Sequence, residues 1–201
     1  MSEGFQGNKN VKAGGTKTSY TREQIVEYAK CAEDPCYFIE NYVKVISLDA
    51  GVVPFKLRPY QRRIIEAVHN NRFTLAMLFR QSGKSTILAA YMLWYATFND
   101  HKTSVLLANK QAQAIEIFSR VQYMYELLPD WLKQGALAWN KKSVQFENGS
   151  RIIASATSSS AVRGMSCVDG DTTVTIEYNN KIITDSINNI INNYPELVYE
   201  E

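Results

Sequence analysis

The sequence predicts an α/β fold in which a parallel sheet is wrapped by helices. Two apolar runs, residues 73–79 and 103–109, have the length and composition of strands that are buried on both faces. Each run precedes a long segment without proline or glycine that suits a helix, 87–98 after the first and 111–128 after the second. This alternation is typical of parallel sheets, because each helix returns the chain to the same end of the sheet.

Upstream of these runs, the sequence divides into a tail and a helical region. Residues 1–20 are rich in Gly, Lys, Asn, Ser and Thr, and we expect a flexible tail because they bury too little apolar surface to order themselves. Thr21, followed three residues later by Gln24, is typical of a helix start. Pro35 separates this helix from a second one, which is predicted over residues 36–46.

Two further elements flank the predicted sheet strands. The spacing of apolar residues over 58–70 predicts an amphipathic helix. Residues 143–156 read as two short strands joined by a tight turn at Asn148 and Gly149, because Asn-Gly favours the turn of a β-hairpin.

Composition excludes several classes of protein. The formal net charge of +2 is too small to indicate nucleic-acid binding by itself. The chain has no apolar run of about 18 residues and no apolar signal core at its N-terminus, so a cytosolic protein is expected. Its three cysteines, Cys31, Cys36 and Cys167, are an odd number, which argues against a disulfide framework. With only two histidines, neither a zinc site nor a Ser-His-Asp hydrolase is expected.

The junction after the first apolar run carries a phosphate-binding motif. Gly83 lets backbone N–H groups surround a phosphate, Lys84 can reach its oxygens, and the Ser85 hydroxyl can coordinate Mg²⁺. The motif departs from the P-loop consensus at Leu78, where a glycine is expected, and Arg80 within the loop can stabilise charge on a γ-phosphate or form a surface ion pair. The candidate nucleotide-binding residues of the loop are Arg80, Gln81, Ser82, Gly83, Lys84, Ser85 and Thr86.

The same nucleotide site lacks its second half. A P-loop ATPase needs an apolar strand that ends in Asp or Asp-Glu, which holds Mg²⁺ and activates water. Between residues 87 and 166 no such strand occurs, since one apolar run ends in Asn109 and another in Thr157. We therefore predict an incomplete P-loop NTPase fold that does not hydrolyse ATP on its own.

Several segments, in this order and spacing, resemble the large terminase subunit of tailed bacteriophages. They are "CAEDPCYFIENYVKV", "FKLRPYQRRII", "FRQSGKST", "LLPDWL", "NGSRI" and "SSSAVRGMS", and they extend over residues 25–166. The resemblance implies an ATP-driven, Mg²⁺-dependent motor that packages double-stranded DNA in the host cytoplasm, with the portal and the small terminase subunit as partners. It also implies that Tyr60 and Gln61 contact adenine and that Arg80 and Lys84 act in catalysis. That family tolerates residues such as Leu78 in the loop.

From Cys167 onwards the sequence resembles a different family. "CVDGDTTVTIEYNNKIITDSINNII" is similar to the first block of an intein of the Hint type, with a nucleophilic cysteine, a Gly-Asp-Thr turn and a β-hairpin bent at Asn179 and Asn180. The resemblance implies that the Cys167 thiolate attacks the carbonyl of Ser166. A short helix that Pro195 ends is predicted to follow the hairpin.

The intein-like segment is also incomplete. It has no histidine, ends at Glu201 rather than Asn, and has too few residues for an independent β-domain. We therefore interpret the chain as the N-terminal half of a split-intein precursor, whose partner chain carries the intein C-segment and the rest of the terminase. The predicted parts are a tail (1–20), a helical region (21–48), a partial P-loop ATPase domain (49–166) and a split-intein N-segment (167–201). Two alternatives remain: an inactive truncated terminase, and a P-loop nucleic-acid-binding module that carries an unrelated hairpin.

Overall fold

The computed structural model of the chain describes residues 4–47, 49–157, 173–178 and 181–193. The helices are α1 (Arg22–Glu33), α2 (Pro35–Tyr42), α3 (Pro59–Asn70), α4 (Lys84–Phe98), α5 (Gln111–Glu126) and α6 (Ile187–Asn193). The strands are β1 (Lys44–Ser47), β2 (Gly51–Pro54), β3 (Thr103–Ala108), β4 (Ala136–Trp139), β5 (Ser143–Phe146), β6 (Arg151–Ala156), β7 (Thr173–Tyr178) and β8 (Lys181–Ser186). Within these described ranges, no helix has the length and apolar character needed to cross a membrane.

The main sheet is mixed, not parallel as the sequence predicted. Its order is β3-β6-β5-β4, and only β3 and β6 run parallel, in a register that pairs Thr103 with Arg151 and Ala108 with Ala156. β5 is antiparallel to both of its neighbours because a tight turn joins it to β6, with Gly149 at φ +79°. The predicted α/β class and this hairpin are confirmed, whereas the all-parallel sheet is wrong.

Helices α4 and α5 form the core together with the sheet. α4 buries one face, which includes Ala89, Ala90 and Leu93 at 0% exposure, and it packs against α5, α2 and α3. α5 lies against β6 and β3, and it contributes the fully buried Phe118. The indole Nε1 of Trp94 donates to the Cys31 carbonyl at 2.7 Å, so the N-terminal helices are tied to α4.

The first apolar run, residues 73–79, does not form the buried strand that its composition predicted. It contains no assigned strand and pairs with no strand in the described part of the chain, and the side chains of Leu75 and Phe79 are 62% and 59% exposed. A strand buried on both faces requires neighbours to cover it, and composition alone cannot supply those neighbours. The prediction therefore fails because residues 73–79 find no strand to pair with in the described ranges.

The second predicted helix is also shorter than expected. α2 ends at Tyr42, and residues 44–47 form β1. This strand pairs antiparallel with β2, in a register that places Lys44 opposite Pro54 and Ser47 opposite Gly51. The β-branched Val45 and Ile46 favour a strand once Gly51, at φ +66°, allows the chain to turn back. The predicted boundary at residues 48 and 49 therefore falls inside a hairpin.

The expected N-terminal tail is docked on the fold from residue 4 onwards. Val11 is 0% exposed, the Ala136 N–H donates to the Lys12 carbonyl at 2.7 Å, and the Gly14 N–H donates to the Ala136 carbonyl at 2.9 Å. Low apolar content did not predict this because main-chain pairing with the outer edge of β4, together with one buried valine, holds the segment. The prediction of a flexible tail over 1–20 is wrong for these residues.

Truncation of Val11 is expected to destabilise the whole domain. Val11→Ala removes two buried methyl groups and should lower the free energy of unfolding by about 2 kcal/mol, measured by chemical denaturation. Val26→Ala on α1, where the side chain is 55% exposed, serves as the control and should change it by less than about 0.5 kcal/mol. Equal effects of the two substitutions would show that the N-terminal segment is not docked in solution.

The intein-like segment contains the predicted hairpin and helix. β7 and β8 are antiparallel, in a register that places Thr173 opposite Ser186 and Tyr178 opposite Lys181. α6 follows β8 directly. Because Tyr178 pairs with Lys181, the connection has two residues, as the sequence predicted. Asn179, Asn180 and Pro195 lie outside the described residues.

Candidate functional site

The loop that precedes α4 is shaped to receive an anion. Gln81 and Gly83 both have positive φ, at 62° and 79°, and α4 begins at Lys84 with Gly83 as its N-cap and no side-chain capping bond. The first hydrogen bond of the helix ladder runs from the Ile87 N–H to the Gly83 carbonyl at 3.0 Å. The preceding N–H groups have no partner within the helix, and they point with the positive end of the helix dipole toward the loop. Such a helix start binds phosphate.

The side chains of this loop provide charge and one unpaired hydroxyl. Arg80 and Lys84 are exposed, and Ser85 is half-buried in the first turn of α4. Ser82 is 1% exposed, yet its Oγ has no hydrogen-bond partner among the described residues. A buried hydroxyl without a partner costs free energy, so this atom is suited to a polar ligand.

Tyr60 and Gln61 lie against the loop from the first turn of α3. The Tyr60 hydroxyl donates to the Ser82 carbonyl at 2.8 Å, and Nε2 of Gln61 donates to the same oxygen at 3.1 Å. Oε1 of Gln61 accepts the backbone N–H of Arg58 at 3.0 Å and so caps α3. The structure therefore brings together every predicted nucleotide-binding residue, although these two contact the protein backbone.

Sequence reasoning missed Arg120 on α5. Its Nη1 donates to Oγ1 of Thr86, in the first turn of α4, at 3.1 Å, and its Nη2 forms an ion pair with Glu116 at 3.0 Å. No sequence signal links these positions, because Arg120 and Thr86 are 34 residues apart. A cavity of about 490 Å³ opens beside them, lined by Lys44, Val45, Ile46, Thr86, Ser119, Arg120, Tyr123 and Met124.

The described cysteines are not reactive, and the candidate nucleophile lies elsewhere. Burial raises the pKa of the Cys31 thiol to about 12 and that of the Cys36 thiol to about 11, so both stay protonated at neutral pH. Ser166 and Cys167 lie outside the described residues, and their predicted roles stay predictions.

Within the described part of the chain, no group of three or more His, Cys, Asp or Glu side chains could hold a metal ion. Among the described residues, Ser85 is the candidate Mg²⁺ ligand.

The fold is a mixed α/β domain in which a loop with Gly83 as the N-cap leads from an apolar segment into α4. Residues 75–170 match the family model described as "Terminase large subunit, T4likevirus-type, N-terminal". The matched range covers just under half of the chain and includes the loop, α4, the main sheet and α5. Over these residues the chain is similar to the N-terminal part of a terminase large subunit.

Proposed function

We propose that the chain is the N-terminal precursor of a phage DNA-packaging terminase large subunit, which binds ATP through residues 80–86 and is joined to its C-terminal half by protein trans-splicing. The observation that carries the nucleotide site is the glycine-capped start of α4 beside the buried, unpartnered Ser82 hydroxyl. The family match ends at residue 170, and a separate hairpin begins at Thr173, which supports a change of module near Cys167.

Three side chains, those of Arg80, Lys84 and Ser85, have defined tasks in the proposed ATP binding. The N–H groups of the first turn of α4 donate to phosphate oxygens, and the Lys84 ammonium neutralises the β- and γ-phosphates. Ser85 supplies one hydroxyl ligand to Mg²⁺, which, when bound, neutralises charge on the same phosphates. Arg80, exposed in the loop, can swing onto the γ-phosphate as negative charge develops there.

The carboxylate that activates water is not supplied by the sequence up to residue 166. We infer that the partner chain brings it, so that ATP hydrolysis follows joining. The joined protein would then engage double-stranded DNA, the portal and the small terminase subunit in the cytoplasm of the infected host.

Joining begins at the Ser166–Cys167 peptide bond. The Cys167 thiolate attacks the Ser166 carbonyl carbon, a C–S bond forms, the C–N bond breaks, and the departing amine takes up a proton. The resulting thioester passes to a nucleophile on the partner chain. The hairpin of β7 and β8, followed by α6, is the part of this chain that would complete the partner's β-fold.

The role of Arg80 is tested after splicing. Arg80→Ala should lower ATP turnover by about 100-fold and change the Kd for ATP by less than about threefold, because the side chain meets charge that develops in the transition state. Phosphate release and equilibrium binding measure the two effects. Equal losses in turnover and binding would instead assign Arg80 to ground-state binding.

A further inference from the structure

The guanidinium of Arg120 reaches the first turn of α4 from the neighbouring helix α5. Its Nη1 donates to Oγ1 of Thr86 at 3.1 Å, and three covalent bonds separate that oxygen from the backbone nitrogen of Thr86. Nη1 therefore lies at most about 7 Å from this nitrogen. The Thr86 N–H has no acceptor within α4, because the hydrogen-bond ladder begins at Ile87. The guanidinium thus lies beside N–H groups that, in the proposed function, bind phosphate.

Three basic side chains gather at this end of α4. Arg80 and Lys84 are exposed there, and Arg120 adds a positive charge that no physiological pH removes. The helix dipole presents its positive end to the same place, so cations are unfavourable there unless an anion accompanies them. Arg120 pairs with Glu116 at 3.0 Å, but the Glu116 side chain is 68% exposed, so water screens this attraction. A bound polyphosphate compensates these like charges.

Arg120 has donors and space for a ligand. A guanidinium carries five N–H donors, and the contacts with Thr86 and Glu116 engage two of them. The cavity of about 490 Å³ opens beside Arg120, and Lys44 on β1 is a second cation in its lining. The Arg120 side chain is 41% exposed, so phosphate oxygens can reach its remaining donors.

We propose that Arg120 is a further phosphate-binding residue, which Thr86 holds at the first turn of α4 and which donates to a polyphosphate bound there. The proposal rests on the proposed function, because it takes the loop as the polyphosphate site. It differs in its consequences from a surface ion pair. Loss of either partner of an ion pair removes the same contact, whereas in a phosphate site Arg120 attracts the ligand and Glu116 repels it.

The test measures the Kd of the full chain for inorganic tripolyphosphate by isothermal titration calorimetry. Arg120→Met should raise the Kd about tenfold at about 0.1 M salt, because it removes a charge-assisted hydrogen bond. At about 1 M salt the increase should fall below about threefold, since salt screens the attraction between the charges. Arg120→Lys, which keeps the charge but loses the planar fork, should stay within about threefold of the wild type. Glu116→Gln should lower the Kd about twofold, because it removes a repelling charge.

Arg151→Met is the matched control. Arg151 also donates to a threonine hydroxyl, from its Nε to Oγ1 of Thr103 at 3.0 Å. Its backbone N–H bonds the Lys102 carbonyl, shortly after α4 ends at Phe98. α4 has 15 residues and spans about 22 Å, roughly two Debye lengths at 0.1 M salt, so the Kd of this variant should match that of the wild type.

The outcomes separate this proposal from the proposed function. An unchanged Kd in Arg120→Met, or an equal rise in Arg120→Met and Glu116→Gln, would overturn the role of Arg120 and leave the loop as the phosphate site. A wild-type chain that binds no tripolyphosphate would reject the nucleotide site itself, and the role of Arg120 with it.

Discussion

Cys167→Ala is expected to abolish ligation of the chain to its proposed partner, whereas the wild-type chain should yield a joined product. The variant lacks the thiol that must attack the Ser166 carbonyl, and no other thiol can replace it. Cys31 and Cys36 are buried, with pKa values raised to about 12 and about 11, which keeps them protonated and unreactive at neutral pH. Mass spectrometry of the mixed chains measures the joined product.

The same experiment contains its own control for folding. The proposed splicing assigns association to the β7–β8 hairpin and α6, so Cys167→Ala should still co-elute with the partner on size-exclusion chromatography. Cys31→Ala, which removes a buried thiol upstream, should splice at an unchanged yield as long as the chain stays folded. Ligation by Cys167→Ala would show that the intein-like segment is only a hairpin.

The second large effect is the appearance of ATP hydrolysis on joining. The unspliced chain should release phosphate no faster than background, because its half of the site carries phosphate-binding groups without a carboxylate to activate water. The spliced product should turn over ATP, and Lys84→Ala in that product should return the rate to background, a loss of about 1000-fold or more.

A matched lysine variant controls for charge. Lys110→Ala removes an exposed lysine at the start of α5, outside the phosphate-binding loop, and should leave turnover within about twofold of the spliced wild type. If the unspliced chain hydrolysed ATP robustly and Lys84→Ala abolished that turnover, the prediction that this chain lacks a water-activating carboxylate would be wrong.

Local features of the fold could be predicted from the sequence. α1 begins where Thr21 and Gln24 exchange capping bonds at 3.0 and 3.2 Å, and the Asn-Gly turn places β5 beside β6. These features depend on contacts between residues three or four positions apart. Residues 80–86 were equally visible as a candidate phosphate-binding loop because they are consecutive, and their binding role stays a prediction.

The predictions that failed all depend on contacts between residues that are far apart in the sequence. Residues 73–79 have strand composition but pair with no strand in the described ranges. Residues 12–14 have tail composition but pair with the edge of β4 at Ala136. In the site, the hydrogen bonds from Gln61 to Ser82 and from Arg120 to Thr86 join residues 21 and 34 positions apart. Side-chain amides and guanidinium groups bond many partners, so residue type alone does not choose among them.

Thiol-induced cleavage shows directly whether Cys167 forms a thioester with Ser166. The wild-type chain is mixed with its partner in excess external thiol, and the fragments are weighed by mass spectrometry. We expect release of a fragment comprising residues 1–166, ending in Ser166 as a thioester or acid, and no such fragment from Cys167→Ala. A wild-type chain that associates with its partner yet never breaks after Ser166 would contradict it.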